Sequence, residues 1–576
     1  MSSDPGIAPN AKRLLWAGFM AILAAGVGFS VRGGILGQWA EQYGFTMTEL
    51  GAITGGGLTG FGVVIILSSL IADKVGYGKL MIAAFLLHFI SAVITLATPA
   101  AFAAGGKEAA FQCLFIGMFI FALGNGVCEA VVNPLTATLF PKEKTHYLNI
   151  LHAGWPAGLV IGGLAATFMA ADVDSAGKVI KAAVDWKIQM SLFLVPVVIY
   201  GVMLIGQKFP ISETTRAGVG LGDSLKDIGL LAIAVVSLFL AFGLKDFVSS
   251  LGLPGALGYA IAIGLFIWMA MLAKGSLNPS LLVIFLLLHV LVGYVELGTD
   301  SWIAKITGNI MDSPANGLKL MVYTSALMFA LRFVAGPIVH RISPLGLLLV
   351  SSVLGVVGLT MLGNAVGVWA CVGAVTVYAF GKTFLWPTML AVVSERFPKG
   401  GAVAIGMVGG MGMLSAGLLG GPLIGYKQDY FATHHLQANA PQSYERYAVA
   451  EPKGPIGFPK IQGLDGAKVG VLSDEGKELA NVGAALVQDG KTDKNHEALA
   501  AWWEGAKTSA ASDSDPVNAA TLEGSRMALK VTAAVPAVMA VAYLLLILIF
   551  KARGGYKPLE VTGEQIAGGV KGPMNA

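Results

Sequence analysis

A chain of 576 residues could hold several soluble domains, yet 55% of it is hydrophobic and only 12% is charged. Soluble domains carry about 25% charged residues, so this balance, with a mean hydropathy of +0.72, excludes an ordinary soluble enzyme. The net charge of +4 is small and dispersed, which excludes nucleic acid as a partner, and Cys113, Cys128 and Cys371 lie in apolar stretches without disulfide or metal-ligand spacing.

In chain order, Lys12 and Arg13 precede an apolar run that continues to Arg32, beyond signal-peptide length, and reads as a first membrane span. A spanning helix needs ~20 mostly apolar residues. Such segments occur near 14–36, 50–72, 80–102, 109–139, 147–170 and 188–207, then near 280–304, 319–339, 345–364, 369–393, 400–426 and 531–550. Two further apolar stretches, 228–244 and 247–273, lie between the two sets. They are read as two extra central helices on a frame of twelve, although a hairpin in the interface fits the same pattern.

Basic residues test the orientation. Lys74, Lys79, Lys142, Lys144, Lys208, Arg216, Arg341, Arg396, Lys399, Lys551 and Arg553 all fall on the face that carries Lys12 and Arg13. The positive-inside rule makes that face cytoplasmic. The expectation is a multi-pass protein of the inner or plasma membrane with both termini in the cytoplasm. The polar stretch 427–526 then lies outside, with helical spacing at 474–488 and 495–509. It reads as a surface insertion, or as a small cap over a transporter mouth. The expected division is an N-terminal six-helix bundle (1–210), a central linker with two apolar helices (211–278), five helices of a C-terminal bundle (279–426), the insertion (427–526), and a last helix with its tail (527–576).

Between the second and third spans stand Ser69, Asp73, Lys74, Gly76, Gly78 and Lys79. This loop resembles the signature of the major facilitator superfamily, with Ser69 where a glycine is usual. A second copy runs through Gly336, His340 and Arg341. The stretch Phe121, Gly124, Asn125, Phe140, Pro141, Lys142 returns 257 residues later as Tyr378, Gly381, Lys382, Phe397, Pro398, Lys399. Parallel half-repeats of this kind place a substrate site at the midplane between the halves. The fold implied is all-α, two six-helix bundles working by alternating access. Asp73 is expected to accept from backbone N–H groups or from a basic partner in the other half.

A finer likeness lies in Gly124, Gly126, Glu129, Asn133 and Pro134, followed by Leu148, Asn149 and His152. It resembles the fucose:proton symporter branch, in which the glutamate takes part in sugar binding and proton coupling; His152 stands where glutamine is usual. Trp386, Pro387 and Thr388 are similar to that family's Phe-Pro-Thr segment. The family's first-span acid is replaced by Arg32, Gly33 and Gly34.

Charge within the membrane singles out the candidate site. Arg32, Glu129, Glu296, Asp300, Arg332 and Lys382 lie in spans. Left isolated they would cost roughly 15–20 kcal/mol together, so they must face one another or a wet cavity. Asn125, Glu129 and Asn133 recur every four residues and share one helix face, and Pro134 invites a local break. Glu296 and Asp300 are also four apart, a spacing at which one carboxylate could hold a proton. Lys382 pairs with Trp386 along the tenth span, Trp386 and Trp302 could stack on a sugar ring, and His152 could relay protons.

The expected substrate-binding or proton-coupling set is therefore Glu129, Asn125, Asn133, His152, Arg32, Glu296, Asp300, Lys382 and Trp386. Asp73, Lys74, Gly76, Lys79 and Arg341 form the gating loop. No cofactor, metal site or catalytic constellation is expected, and the working unit is expected to be a monomer in the lipid bilayer. The reading is a secondary transporter of a sugar or similar polyhydroxylated solute, proton-coupled. A nucleoside or organic-anion porter using Arg32 and Lys382 is the alternative, and a non-transporting receptor using the insertion is the alternative of another class.

Overall fold

The computed structural model describes residues 9–45, 47–55, 57–169, 172–173, 179–277, 281–455, 457–488 and 493–559. Gly56, parts of the insertion, and the last 17 residues of the tail are among those outside these. Among the described residues, thirteen helices are long and apolar enough to cross a membrane. Pro314–Arg332 is less apolar but equally long at 19 residues, and it completes a set of fourteen.

The core spans are Ala11–Gly34, Gly57–Val75, Tyr77–Leu96, Thr98–Leu139, Lys144–Met169 and Trp186–Leu204 in the first half. In the second half they are Leu281–Ile310, Pro314–Arg332, Ala335–Gly363, Gly367–Arg396, Pro398–Asn439 and Ala534–Ala552, which the polar helix Ala510–Thr532 leads into from the insertion. Among the described residues the fold is all-α, apart from a short antiparallel ladder joining Asp172 to Lys181 and Val173 to Val179 and isolated antiparallel bridges at Ala448–Leu464 and Lys453–Ile461. Both central helices form, as Leu230–Ser250 and Gly255–Leu272. The first lies on the seam between the halves: a Cβ on Gly243 would meet Leu414 of the eleventh span at 2.6 Å and Val63 of the second at 3.0 Å.

Breaks in the helices follow local chemistry. Gly106, at φ +66°, separates a short outer piece from the fourth span proper. Ser343 does the same before Pro344. Pro134, by contrast, does not break its helix, which runs on to Leu139. Asn133 and Thr138 donate to the carbonyls of Glu129 and Pro134 on either side of it (2.9 and 2.8 Å).

Glycines let the seventh and eleventh spans touch backbone to backbone. A Cβ on Gly293 would stand 2.0 Å from the Gly412 carbonyl oxygen, and one on Gly298 would stand 2.7 Å from Gly420 Cα. Each of the two helices has a π-turn at that crossing, Tyr294–Gly298 and Ala416–Gly420. Single π-turns inside α-helices are often found at functional sites.

The insertion is helical and grows out of the eleventh and twelfth spans, which continue past the membrane and pack so closely that a Cβ on Gly524 would lie 2.4 Å from the Gln428 carbonyl. Helices Lys477–Gln488 and Lys494–Ala506 occupy the two stretches with helical spacing. Leu436, Tyr447, Leu472 and Val517 form a small core, with Trp502 and Trp503 packed against it. The insertion's base is tied to the second half, where Lys427 donates to the Tyr294 hydroxyl at 2.9 Å and to Thr532 at 3.2 Å.

Candidate functional site

A small cavity lies between the halves, lined by Asn125, Glu129, His152 and Trp155 from one side and by Glu296, Arg332 and Trp386 from the other, among others. The apolar walls include Ile22, Phe61 and Met413.

The fourth span supplies the polar stripe that its four-residue spacing predicts. Asn125 Oδ1 lies 2.9 Å from His88 Nε2, and the other His88 nitrogen lies 2.8 Å from the Tyr200 hydroxyl. The Asn125 amide nitrogen is buried without a partner. Asn133 Oδ1 meets His152 Nε2 at 2.8 Å, and its amide lies 3.4 Å from Glu129 Oε2. His152 Nδ1 is 3.9 Å from Glu129 Oε1. Asn133 therefore stands behind the cavity wall and orients both Glu129 and His152.

The opposite wall differs from the expected carboxylate pair. Glu296 and Asp300 each have a cation of their own. Glu296 Oε1 accepts from Arg332 Nη2 at 2.8 Å, and its Oε2 accepts from the Trp386 backbone N–H at 3.2 Å. Asp300 is paired with Lys382, whose ammonium also lies 5.4 Å from the Tyr378 ring centre. Neither Asp300 nor Lys382 lines the cavity. Trp302 does not line it either: its indole donates to the Gly421 carbonyl at 2.8 Å.

Arg32 is another departure. It is 1% exposed, and its guanidinium lies 4.0 Å from the Phe121 ring centre and 4.9 Å from that of Phe193, inside the first bundle. It donates to its own helix at the Gly28 carbonyl, 3.2 Å away. Helix periodicity could not tell this interior from the central path, since both call for buried positions.

Arg332 is the functional candidate that the expected set omits. It is 1% exposed and uses three nitrogens at once. Beyond Glu296, its Nε donates to the Thr383 carbonyl at 3.0 Å and its Nη1 to the His152 carbonyl. Both acceptors have a sequence-level cause. A proline has no N–H to give the carbonyl four residues back. Pro156 thereby frees His152, and Pro387 frees Thr383. Trp155 and Trp386, one residue before each proline, both line the cavity. The repeated Trp-Pro pair was the available signal.

From His152 toward the face that carries the chain termini, contacts between the halves continue turn by turn. Asn149 Nδ2 donates to Thr388 Oγ1 at 3.2 Å, Thr145 to Glu395 Oε1 at 3.3 Å, and Lys144 to the Ser394 carbonyl at 3.5 Å. Residues beyond the last span cover this contact: the Tyr556 hydroxyl donates to Glu395 Oε2 at 2.6 Å, and the Leu559 N–H to the Glu395 carbonyl at 2.8 Å.

The signature loop sits on the same face. Asp73 does not bind backbone N–H groups or a basic partner as expected; Thr214 donates to its Oδ2 at 2.7 Å. Thr214 is itself pressed against Gly401, where an added Cβ would stand 2.5 Å from it. Gly76 has φ +92°, a turn that favours glycine. Lys74, Lys79 and Arg341 are exposed. Ser69 packs where a Cβ on Gly406 would come within 2.2 Å, so the small residue does permit close approach of the spans. Among the described residues, no cluster of three or more His, Cys, Asp or Glu is placed to hold a metal.

Two helical bundles around a cavity at their seam, with charged groups in its lining, define a multi-pass membrane protein of transporter architecture. The chain belongs to the Major Facilitator Superfamily, which its residues 18–421 match. No curated protein sequence matches it. Among solved structures, it is similar to the transporter FucP in its outward conformation, at 14% identity over 72% of this chain and 92% of that one, with a TM-score of 0.51. It is also similar to the proton:xylose symporter XylE bound to a bromo-deoxyglucose, at 13% identity over 74% and 90%, with a TM-score of 0.54. An auto-inhibited POT family peptide transporter covers 95% of this chain and 99% of its own, at 14% identity and a TM-score of 0.50. At these identities the likeness is one of fold.

Proposed function

We propose that this protein is a secondary transporter, not an enzyme, that moves a sugar or similar neutral polyhydroxylated solute by alternating access, coupled to protons. The observation that carries the reading is the charge balance of the cavity. Arg332 is committed to Glu296, and Lys382 to Asp300 outside the wall. Among the described residues, Glu129 has no lysine or arginine within ion-pair reach. That leaves a carboxylate, an amide at Asn125 and two indoles facing the space, a set suited to hydroxyls and to the apolar face of a ring. Glu129 is the proposed site for substrate or proton, with Asn125, His152 and Trp386 beside it and Asn133 positioning it. Lys382 and Asp300 act from behind the wall, and the Asp73 loop serves the gate.

The anion reading has less support, since Arg32 is enclosed in the first bundle and no free cation faces the cavity among the described residues. The proposed setting is a plasma or inner membrane with cytoplasmic termini, and the proposed unit is a monomer divided at 210, 278, 426 and 526.

Uptake of labelled sugars into proteoliposomes under an imposed pH gradient tests this. Gradient-driven accumulation is expected in the parent and is expected to be lost in Glu129→Gln. Uptake indifferent to the gradient would remove the coupling, and competition by carboxylates but not hexoses would replace the substrate class.

A further inference from the structure

We infer that Arg332 is the lock that closes the cavity toward the terminus-bearing face, and that the two Trp-Pro pairs exist to give it its acceptors. The inference deepens the transport reading and rests on alternating access, though not on the identity of the solute.

The geometry is specific to a lock between halves. Arg332 belongs to the eighth span, and two of its partners, Glu296 and the Thr383 carbonyl, lie in its own half. The third, the His152 carbonyl, lies in the other half. A guanidinium presents a planar fork of five donors, so one side chain can hold a carboxylate and two carbonyls together. In an ordinary helix each carbonyl already accepts from the N–H four residues on, so a second donor has to compete for it. Pro156 and Pro387 remove that competition at two places that converge on one cation.

The position fits the role. Asn149, Thr145 and Lys144 step from His152 toward the terminus-bearing face, each bonded to the second half. Arg332 is the first bond of this series below the cavity, and it alone also lines the cavity. The ring of His152 faces Glu129, while its carbonyl holds Arg332. Glu296, also in the lining, holds the same guanidinium from the other side. A ligand or proton that weakens the grip of Glu296 or shifts the His152 turn therefore acts directly on the bond between the halves. Only a differential interaction of this kind lets a ligand shift a conformational equilibrium.

The test needs no substrate. Spin labels at Lys12→Cys and Ile342→Cys report the terminus-bearing face, and labels at Ala104→Cys and Val366→Cys report the opposite face. Both pairs are placed in a full-length background with the three native cysteines replaced. Arg332→Lys keeps the charge but loses the fork. Pro156→Ala leaves Arg332 intact and returns an N–H to compete for the His152 carbonyl. Losing hydrogen bonds to a charged group shifts an equilibrium by about tenfold or more, so Arg332→Lys should raise the separated population on the terminus-bearing face by ~10-fold. Pro156→Ala should raise it by a few-fold, with a reciprocal shortening across the opposite face in both variants. General loosening would broaden both label pairs without reciprocity, and that outcome overturns the inference. Distances unchanged from the parent in a monodisperse Pro156→Ala protein overturn it as well, even if Arg332→Lys fails to fold. Loss of sugar uptake with these shifts intact would count against the substrate reading alone.

Discussion

Arg332 and His152, 180 residues apart in sequence, are joined by a guanidinium–carbonyl bond that crosses from one half of the protein to the other. The same cation neutralises Glu296 at 2.8 Å, with both side chains buried. Structural and functional demands therefore meet on one side chain.

Removing one member of a buried ion pair costs about 3–5 kcal/mol, because the other charge is left uncompensated. Arg332→Met is expected to lose that much stability in detergent. The double variant Arg332→Met/Glu296→Gln should recover most of it, since no buried charge then remains unpaired. Thermal unfolding of the two singles and the double gives the coupling. A double variant no more stable than Arg332→Met would mean that the ion pair is not what holds this region.

Gly293→Ala is expected to destabilise by about 1–3 kcal/mol, as overpacking does, because its Cβ would stand 2.0 Å from a backbone oxygen that cannot retreat. Gly409→Ala is the control. Its Cβ would meet nothing nearer than Leu390 at 3.7 Å, so the gain in helix propensity of about 0.5–1 kcal/mol should show. Equal melting temperatures for the two variants would contradict the backbone crossing.

The insertion carries a pH dependence of its own. Burial pushes the Asp513 carboxyl up, but hydrogen bonds from Arg446 and Ser443 and the guanidinium charge outweigh it and hold the group below its ordinary range. A depressed carboxyl contributes stability that is complete above its unfolded pKa, about 4. That contribution is lost as the pH falls through the lower folded value. The insertion should therefore loosen below about pH 4, and Asp513→Asn should blunt the response. Hydrogen exchange of peptides from 440–520, corrected for intrinsic rates, reads this out. An acid response identical in the variant would rule out Asp513 as its source.

Tyr556→Phe deletes the hydroxyl that donates to Glu395 at 2.6 Å. A net loss of about 1 kcal/mol is expected at this partly buried position. Tryptic cleavage after Arg553 should accelerate several-fold. Unchanged cleavage would show that residues 553–559 are held by other contacts.

Much of the frame is legible in the chain because a bilayer leaves few choices. Backbone groups in hydrocarbon must be satisfied within the segment, so apolar length alone marks the spans, including Leu230–Ser250 and Gly255–Leu272. The Asn125–Glu129–Asn133 stripe is equally visible, since helical period sets it before any packing occurs. Pro134 shows the limit of local reasoning: its missing donor predicts a break, yet the helix runs on to Leu139.

By itself the sequence determined where the helices run, which of them carry charge, and which carbonyls Pro156 and Pro387 leave free. Only the tertiary structure decided who meets whom. It turned Arg32 into the first bundle and gave Asp300 to Lys382 and Glu296 to Arg332. It also brought the His152 carbonyl to the same guanidinium. The physical reason is that period and hydropathy fix a residue's place on its own helix, whereas charge pairing depends on the rotation and depth of helices hundreds of residues apart. Those are set by close packing at positions such as Gly293 and Gly412.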